Sequence, residues 1–133
     1  MKHSSLLHMA GLVMGAVVAG SVLAADQDGV FSMVGHASKP CHAFTEALTQ
    51  ARANDNYYEV NRYSLWLDGY LTAYNLLTPD TYDIAGGQDR KALLDRLGAY
   101  CKSKPADNFW TAVTKLTEGL HATRRTQGPK GGG

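Results

Sequence analysis

The sequence predicts an all-α protein, a small four-helix bundle with one disulfide. Apolar residues recur at helical spacing in four segments, and Pro, Gly, Asn or Asp residues separate these segments. No segment alternates between polar and apolar residues for more than a few positions, which makes strands improbable. The chain has two cysteines, Cys41 and Cys101, and a single pair is typical of a small exported domain with one crosslink.

The segment Tyr57–Leu77 is the longest of the four and is predicted to be the central helix. No Pro interrupts it, and Gly69 is its only weak helix former. We expect Gly69 and Ala73, four residues apart, to let a neighbouring backbone come close. Apolar residues at a 4-3-4-3 spacing form its inward stripe, namely Tyr63, Leu67, Tyr70, Tyr74 and Leu77.

Residues 1–25 are predicted to be a secretory signal peptide. Lys2 supplies a positive start, the run Leu6–Val18 has no charge, and small residues before Ala25 suit a signal peptidase. An uncleaved membrane anchor is the alternative, but the small residues at the end favour cleavage. We therefore expect a soluble periplasmic protein that keeps no stable membrane anchor after cleavage.

The charge balance makes a nucleic-acid partner unexpected. The chain has 13 basic and 12 acidic residues, and loss of Lys2 with the leader would leave 12 of each. Three of the remaining basic residues lie in the tail, at Arg124, Arg125 and Lys130. No basic stripe of the kind that binds phosphate backbones is present in the sequence.

We predict that Cys41 and Cys101 form a structural disulfide. A bond closing about 60 residues is worth roughly 4 kcal/mol in the chain-entropy model. Free thiols packed as small apolar residues are the alternative, and a redox site would require a CxxC pair, which the sequence lacks. Because bonded cysteines lie close together, the start of the first helix must touch the end of the third.

Local signals give the other boundaries. We expect an irregular N-terminal arm at 26–40, and a first helix at Cys41–Arg52 that starts near Pro40. Asp55 or Asn56 is expected to cap the central helix. The helical domain is expected to cover 41–123, and a disordered Gly-rich tail to cover 124–133.

The two later helices also have caps and an apolar face. Asp89 is expected to cap a third helix that ends near Lys102, and Asp107 or Asn108 to cap a fourth. The inward residues of the third helix are Leu93, Leu94, Leu97, Tyr100 and Cys101. Those of the fourth helix are Phe109, Val113, Leu116 and Leu120.

No residue pattern indicates catalysis, a metal or a cofactor, and we expect a protein that is not an enzyme. The three histidines after the leader are His36, His42 and His121, and none has the spacing of a metal site. The acidic residues Asp80, Asp83 and Asp89 lack the order of a calcium loop and are interpreted as turn and cap residues. Asp68 is expected to be solvated, or else to bond a Tyr or Arg62.

Seven tyrosines are unusual for so short a chain. Aromatic residues with a polar tip suit both small cores and interfaces, so either role is open. If they serve an interface, the candidate protein-binding face is Trp66, Tyr70 and Tyr74, which could contact a partner or form a homodimer seam.

Three segments resemble the HdeA/HdeB family of periplasmic acid-stress chaperones, and together they span about Cys41–Leu120. They are Cys41-His42-Ala43-Phe44, the central Trp66-Leu67-Asp68-Gly69-Tyr70, and Leu94–Cys101 followed by Lys102-Ser103-Lys104-Pro105. The resemblance implies a folded form at neutral pH that opens in acid and binds unfolding client proteins. The chain departs from this family in its longer central helix, its many tyrosines and its basic Gly-rich tail.

In its size, helical content and cysteine pair, the chain is also similar to the Tai type of periplasmic immunity protein, which is small, helical and disulfide-bonded. That resemblance implies one specific partner, a secreted effector that attacks peptidoglycan. The two resemblances imply opposite behaviour, since a chaperone opens to bind many clients and an inhibitor stays rigid to bind one.

Overall fold

A computed structural model describes residues 25–130. The predicted signal peptide, except Ala25, and the last three residues lie outside the described residues. The chain divides into two compact units, at the junction of Phe31 and Ser32. In the described part of the first unit, Asp26 forms a turn, because its carboxylate accepts hydrogen bonds from the N–H groups of Asp28 and Val30.

The second unit contains four α-helices, as the sequence predicts. They are α1 (Cys41–Asn54), α2 (Tyr58–Leu77), α3 (Arg90–Ser103) and α4 (Phe109–Leu120). Short 3-10 helices at Gly35–Ser38 and His121–Thr123 precede and follow them. Among residues 25–130 there is no strand beyond two isolated bridges, and no helix is both long and apolar enough to cross a membrane.

The core is built from the predicted inward faces. The residues with almost no exposed surface come from all four helices and from Ile84 in the loop before α3: Phe44, Leu67, Ile84, Leu97, Phe109, Val113 and Leu120. The four predicted positions of α4 are all buried. Helix α1 packs against both α2 and α3, and α3 packs against α4.

The predicted disulfide is present. Cys41 begins α1, Cys101 lies in the last turn of α3, and their Cα atoms are 4.8 Å apart. Both residues are fully buried. The alternative of two free thiols is therefore wrong, and the bond joins the two helix ends that the sequence predicts to be in contact.

The caps of α3 and α4 are confirmed. The carboxylate of Asp89 accepts the N–H of Ala92 at 2.8 Å, and the side-chain oxygen of Asn108 accepts the N–H of Thr111 at 2.8 Å. Asp107 and Asn108 are the two candidates for the cap of α4, and Asn108 is the cap. The predicted cap of α2 is wrong: the cap position is Tyr57, whose side chain makes no capping bond, although the side chain of Asn56 accepts the N–H of Tyr58 at 3.2 Å.

Two expectations about α2 are wrong. No atom of a neighbouring element lies within 4 Å of where a Cβ of Gly69 would be, so this glycine does not admit a second backbone. Leu77, predicted to face inward, is 77% exposed. Leu77 is exposed because it lies beyond Tyr74, the last residue of α2 that packs on the core, and Gly69 has open space because it lies on the side of the helix turned away from the core.

The loop before α3 is tied to the segment after α4. The carboxylate of Asp83 accepts the N–H groups of Ala85 and Gly87, each at 2.9 Å. Its backbone pairs with Arg125, whose N–H donates to the Asp83 carbonyl at 2.9 Å. The backbone contacts of the domain therefore continue to Arg125, two residues beyond the predicted boundary at 123.

Candidate protein-binding surface

The predicted face of Trp66, Tyr70 and Tyr74 lies on the side of α2 that is turned towards the core. All three side chains are half-buried and pack against the core. Trp66 stacks on Tyr70 with ring centroids 5.7 Å apart, and Tyr70 meets the edge of Trp110 at 5.3 Å. These rings form an aromatic layer between α2 and α4.

The end of this layer at Tyr74 is polar. The Tyr74 hydroxyl lies 3.3 Å from Nδ1 of His121 in the 3-10 helix after α4. Burial raises the pKa of Tyr70, and the nearby Tyr74 and Glu118 raise it further, while hydrogen bonding with Thr117 lowers it in part. Burial also raises the pKa of Tyr63 above that of a free tyrosine, with a smaller contribution from the Glu59 charge.

The opposite side of α2 carries exposed leucines. Leu65 and Leu76 are 70 and 81% exposed, and the small residues Gly69 and Ala73 lie exposed between them. We call this set of four residues the outer leucine face. Its 4-4-3 spacing from residue 65 to 76 keeps it on one side of the helix. No described residue covers this side of α2, so its apolar side chains are open to a partner.

The outer leucine face is not evident from the sequence alone. Leu65 and Leu76 fall outside the 4-3-4-3 stripe, and that departure was the one signal in the sequence. A helix with apolar residues on two sides gives no local indication of which side the core takes. The packing of Tyr63 and Leu67 against Phe44 and Phe109 decides it here.

Ion pairs border this surface. Asp68, which the sequence left open between solvation and a bond within the bundle, pairs with Arg90 of α3 at 2.6 Å and remains 40% exposed. Neither expected bonding partner, a tyrosine or Arg62, is the one found. Arg62 instead lies 3.7 Å from Glu59 and 5.9 Å from the centre of the Tyr58 ring.

The histidines are dispersed in the second unit. The His36 ring packs edge-on to Tyr63 at 4.5 Å and lies 3.8 Å from Glu59, His42 is exposed, and His121 contacts Tyr74. Within residues 25–130, no three His, Cys, Asp or Glu side chains converge in a way that could hold a metal ion. The turn and cap interpretation of Asp83 and Asp89 is confirmed.

The sequence matches no protein-family model and no curated protein, and the chain matches no solved structure. The resemblances to acid-stress chaperones and to immunity proteins therefore stay predictions.

Proposed function

We propose that this protein is exported to the periplasm and acts without catalysis, by binding other proteins through apolar surface, as acid-stress chaperones do. The outer leucine face of α2 carries this proposal. Two leucines with 70% or more of their surface exposed leave apolar surface in water, and covering that surface with a client favours binding.

Acid would enlarge this surface. Protonation of the 12 carboxylates would leave a net charge of about +15 on the processed chain, counting its three histidines, and such repulsion strains a small domain. The same protonation weakens the bonds that Asp83 makes to its loop and the ion pair of Asp68 with Arg90. The Cys41–Cys101 bond would hold α1 and α3 together while the rest opens.

The experiment is an acid titration of oxidised protein purified from the periplasm. Size and far-UV circular dichroism are followed from pH 7 to pH 2, and the protein is then mixed with an acid-sensitive client. We expect reversible expansion below about pH 3 together with suppression of client aggregation. A domain that stays closed, or that opens and protects no client, contradicts the proposal.

One observation favours a second function, an inhibitor or immunity protein for a secreted effector that attacks peptidoglycan. The outer leucine face is exposed in the folded domain, so a rigid partner could bind it with no opening step. This alternative predicts one tight complex with a peptidoglycan-cleaving effector at pH 7 and retention of the fold in the complex. Co-purification with such an effector encoded nearby, and inhibition of its activity, would test it.

A further inference from the structure

A cleft of 510 Å³ opens beside the disulfide-linked helices, between α1, α2 and α3. It exists because α1 packs against both neighbours, whereas α2 and α3 make few direct contacts with each other. Its volume falls within the range of sites that hold small organic molecules. Its lining combines the apolar side chains of Leu48, Ala51, Val60 and Leu94 with Tyr57, Asn61 and Ser64.

The rim of this cleft carries an excess of positive charge. Arg52 and Lys91 share a single carboxylate, that of Asp95, at 2.8 and 2.7 Å. The third rim cation, Arg90, pairs with Asp68. Three cations therefore face two carboxylates, which leaves one positive charge in excess.

The rim ion pairs can rearrange at little cost. The side chains of Arg52 and Arg90 are 64 and 47% exposed, and exposed pairs of this kind contribute less than about 1 kcal/mol each. A guanidinium presents a planar fork that fits a carboxylate with two hydrogen bonds. An incoming carboxylate can thus join or replace Asp95 as a partner of Arg52.

We propose that this cleft binds a small amphipathic anion with an apolar body and one carboxylate, such as a medium-chain fatty acid. The apolar chain lies against Val60 and Leu94, and the carboxylate lies at the rim between Arg52 and Arg90. The cleft shares no residue with the outer leucine face, so this binding is independent of the proposed function and would survive its failure.

Dodecanoate is a suitable probe, and it is titrated at pH 7 into the oxidised protein purified after export, with binding followed by isothermal titration calorimetry. Dodecanol and dodecyltrimethylammonium have the same chain with a neutral or a positive head. We expect one dodecanoate per chain, bound at least about tenfold more tightly than either, since tenfold corresponds to one charge-assisted hydrogen bond. No binding, or dodecanol bound as tightly as dodecanoate, would overturn the proposal.

Two kinds of variant locate the site. The double variant Arg52→Gln, Arg90→Gln should weaken dodecanoate binding about tenfold or more, while the matched Lys104→Gln, Lys115→Gln protein, changed outside the cleft, should bind normally. Leu94→Glu places a like charge on the apolar wall and should abolish binding. Circular dichroism confirms that each variant folds. Unchanged binding by either the arginine variant or Leu94→Glu would contradict the assignment.

Discussion

Asn108 shows how one side chain fixes the start of a helix. Its side-chain oxygen accepts both the N–H and the hydroxyl of Thr111, each at 2.8 Å. The N–H groups of the first helical turn have no partner within the helix, so a cap of this kind stabilises the domain.

We predict that Asn108→Ala lowers the free energy of unfolding by about 1 kcal/mol, because it removes this acceptor. Urea denaturation followed by circular dichroism measures the change. Asn108→Asp keeps the acceptor and is the control, which should remain within a few tenths of a kcal/mol of the original protein. Equal losses in both variants would contradict a capping role.

Replacement of glycine by alanine should have opposite effects on the stability of the domain at two positions. Gly86 has a φ of +64°, and a Cβ there would lie 2.7 Å from the backbone oxygen of Thr123, whereas Gly69 lies in α2 with open space around it. Gly69→Ala should therefore stabilise the domain by about 0.5–1 kcal/mol, and Gly86→Ala should destabilise it by more than that. Thermal melts of the two variants compare them, and a stabilising Gly86→Ala would show that the loop is not held as described.

At the scale of the helices, the sequence predicts which segments are helical and which residues cap α3 and α4, but it predicts less well which side of a helix faces the core. Asp89 and Asn108 act on groups three residues away, so local sequence reveals them. The side of α2 that faces solvent depends on which aromatic rings α1 and α4 present to it. Neither the outer leucine face nor the gap between α2 and α3 follows from the pattern of one helix.

The disulfide joins α1 and α3 covalently. Its two ends are separated by 60 residues, and reduction should lower the free energy of unfolding by roughly 4 kcal/mol in the chain-entropy model. Denaturation of the protein with and without a reductant at pH 7 measures this loss. Because 4 kcal/mol approaches the whole stability of a small domain, we expect the reduced protein to be partly unfolded at 37 °C. A reduced protein as stable as the oxidised one would contradict this.

At the scale of the whole molecule, acid and alkali should each weaken the fold through different groups. A hydrogen bond from Lys91 holds the pKa of Asp95 below its ordinary value, with further help from the charges of Lys91 and Arg52. A lowered carboxyl pKa contributes stability that is present above the ordinary pKa near 4 and is lost as the pH falls through the lowered value. Asp95→Asn should therefore reduce the loss of stability in this acid window, as measured by urea denaturation at several pH values.

At high pH the fold loses stability through a tyrosine whose pKa is raised. The Tyr100 hydroxyl donates to Asp107 at 2.6 Å, and this bond, together with smaller effects of burial and negative charge, raises the pKa of Tyr100. A raised tyrosine pKa contributes stability that is complete below about pH 10 and is lost as the pH rises through the raised value. Tyr100→Phe should flatten the fall of stability above pH 10. An unchanged alkaline profile would contradict this contribution.

The most direct test of the central claim compares client protection by the original protein and by Leu65→Lys, Leu76→Lys at pH 2–3. Lysine stays charged at every pH used, unlike glutamate, and so removes the apolar surface in acid too. Gln50→Lys, Ala122→Lys adds the same charge at exposed sites elsewhere and is the control. We predict that the original and control proteins suppress aggregation of an acid-sensitive client and that the leucine-face variant does not. Equal protection by all three, or by none, would contradict binding through the outer leucine face.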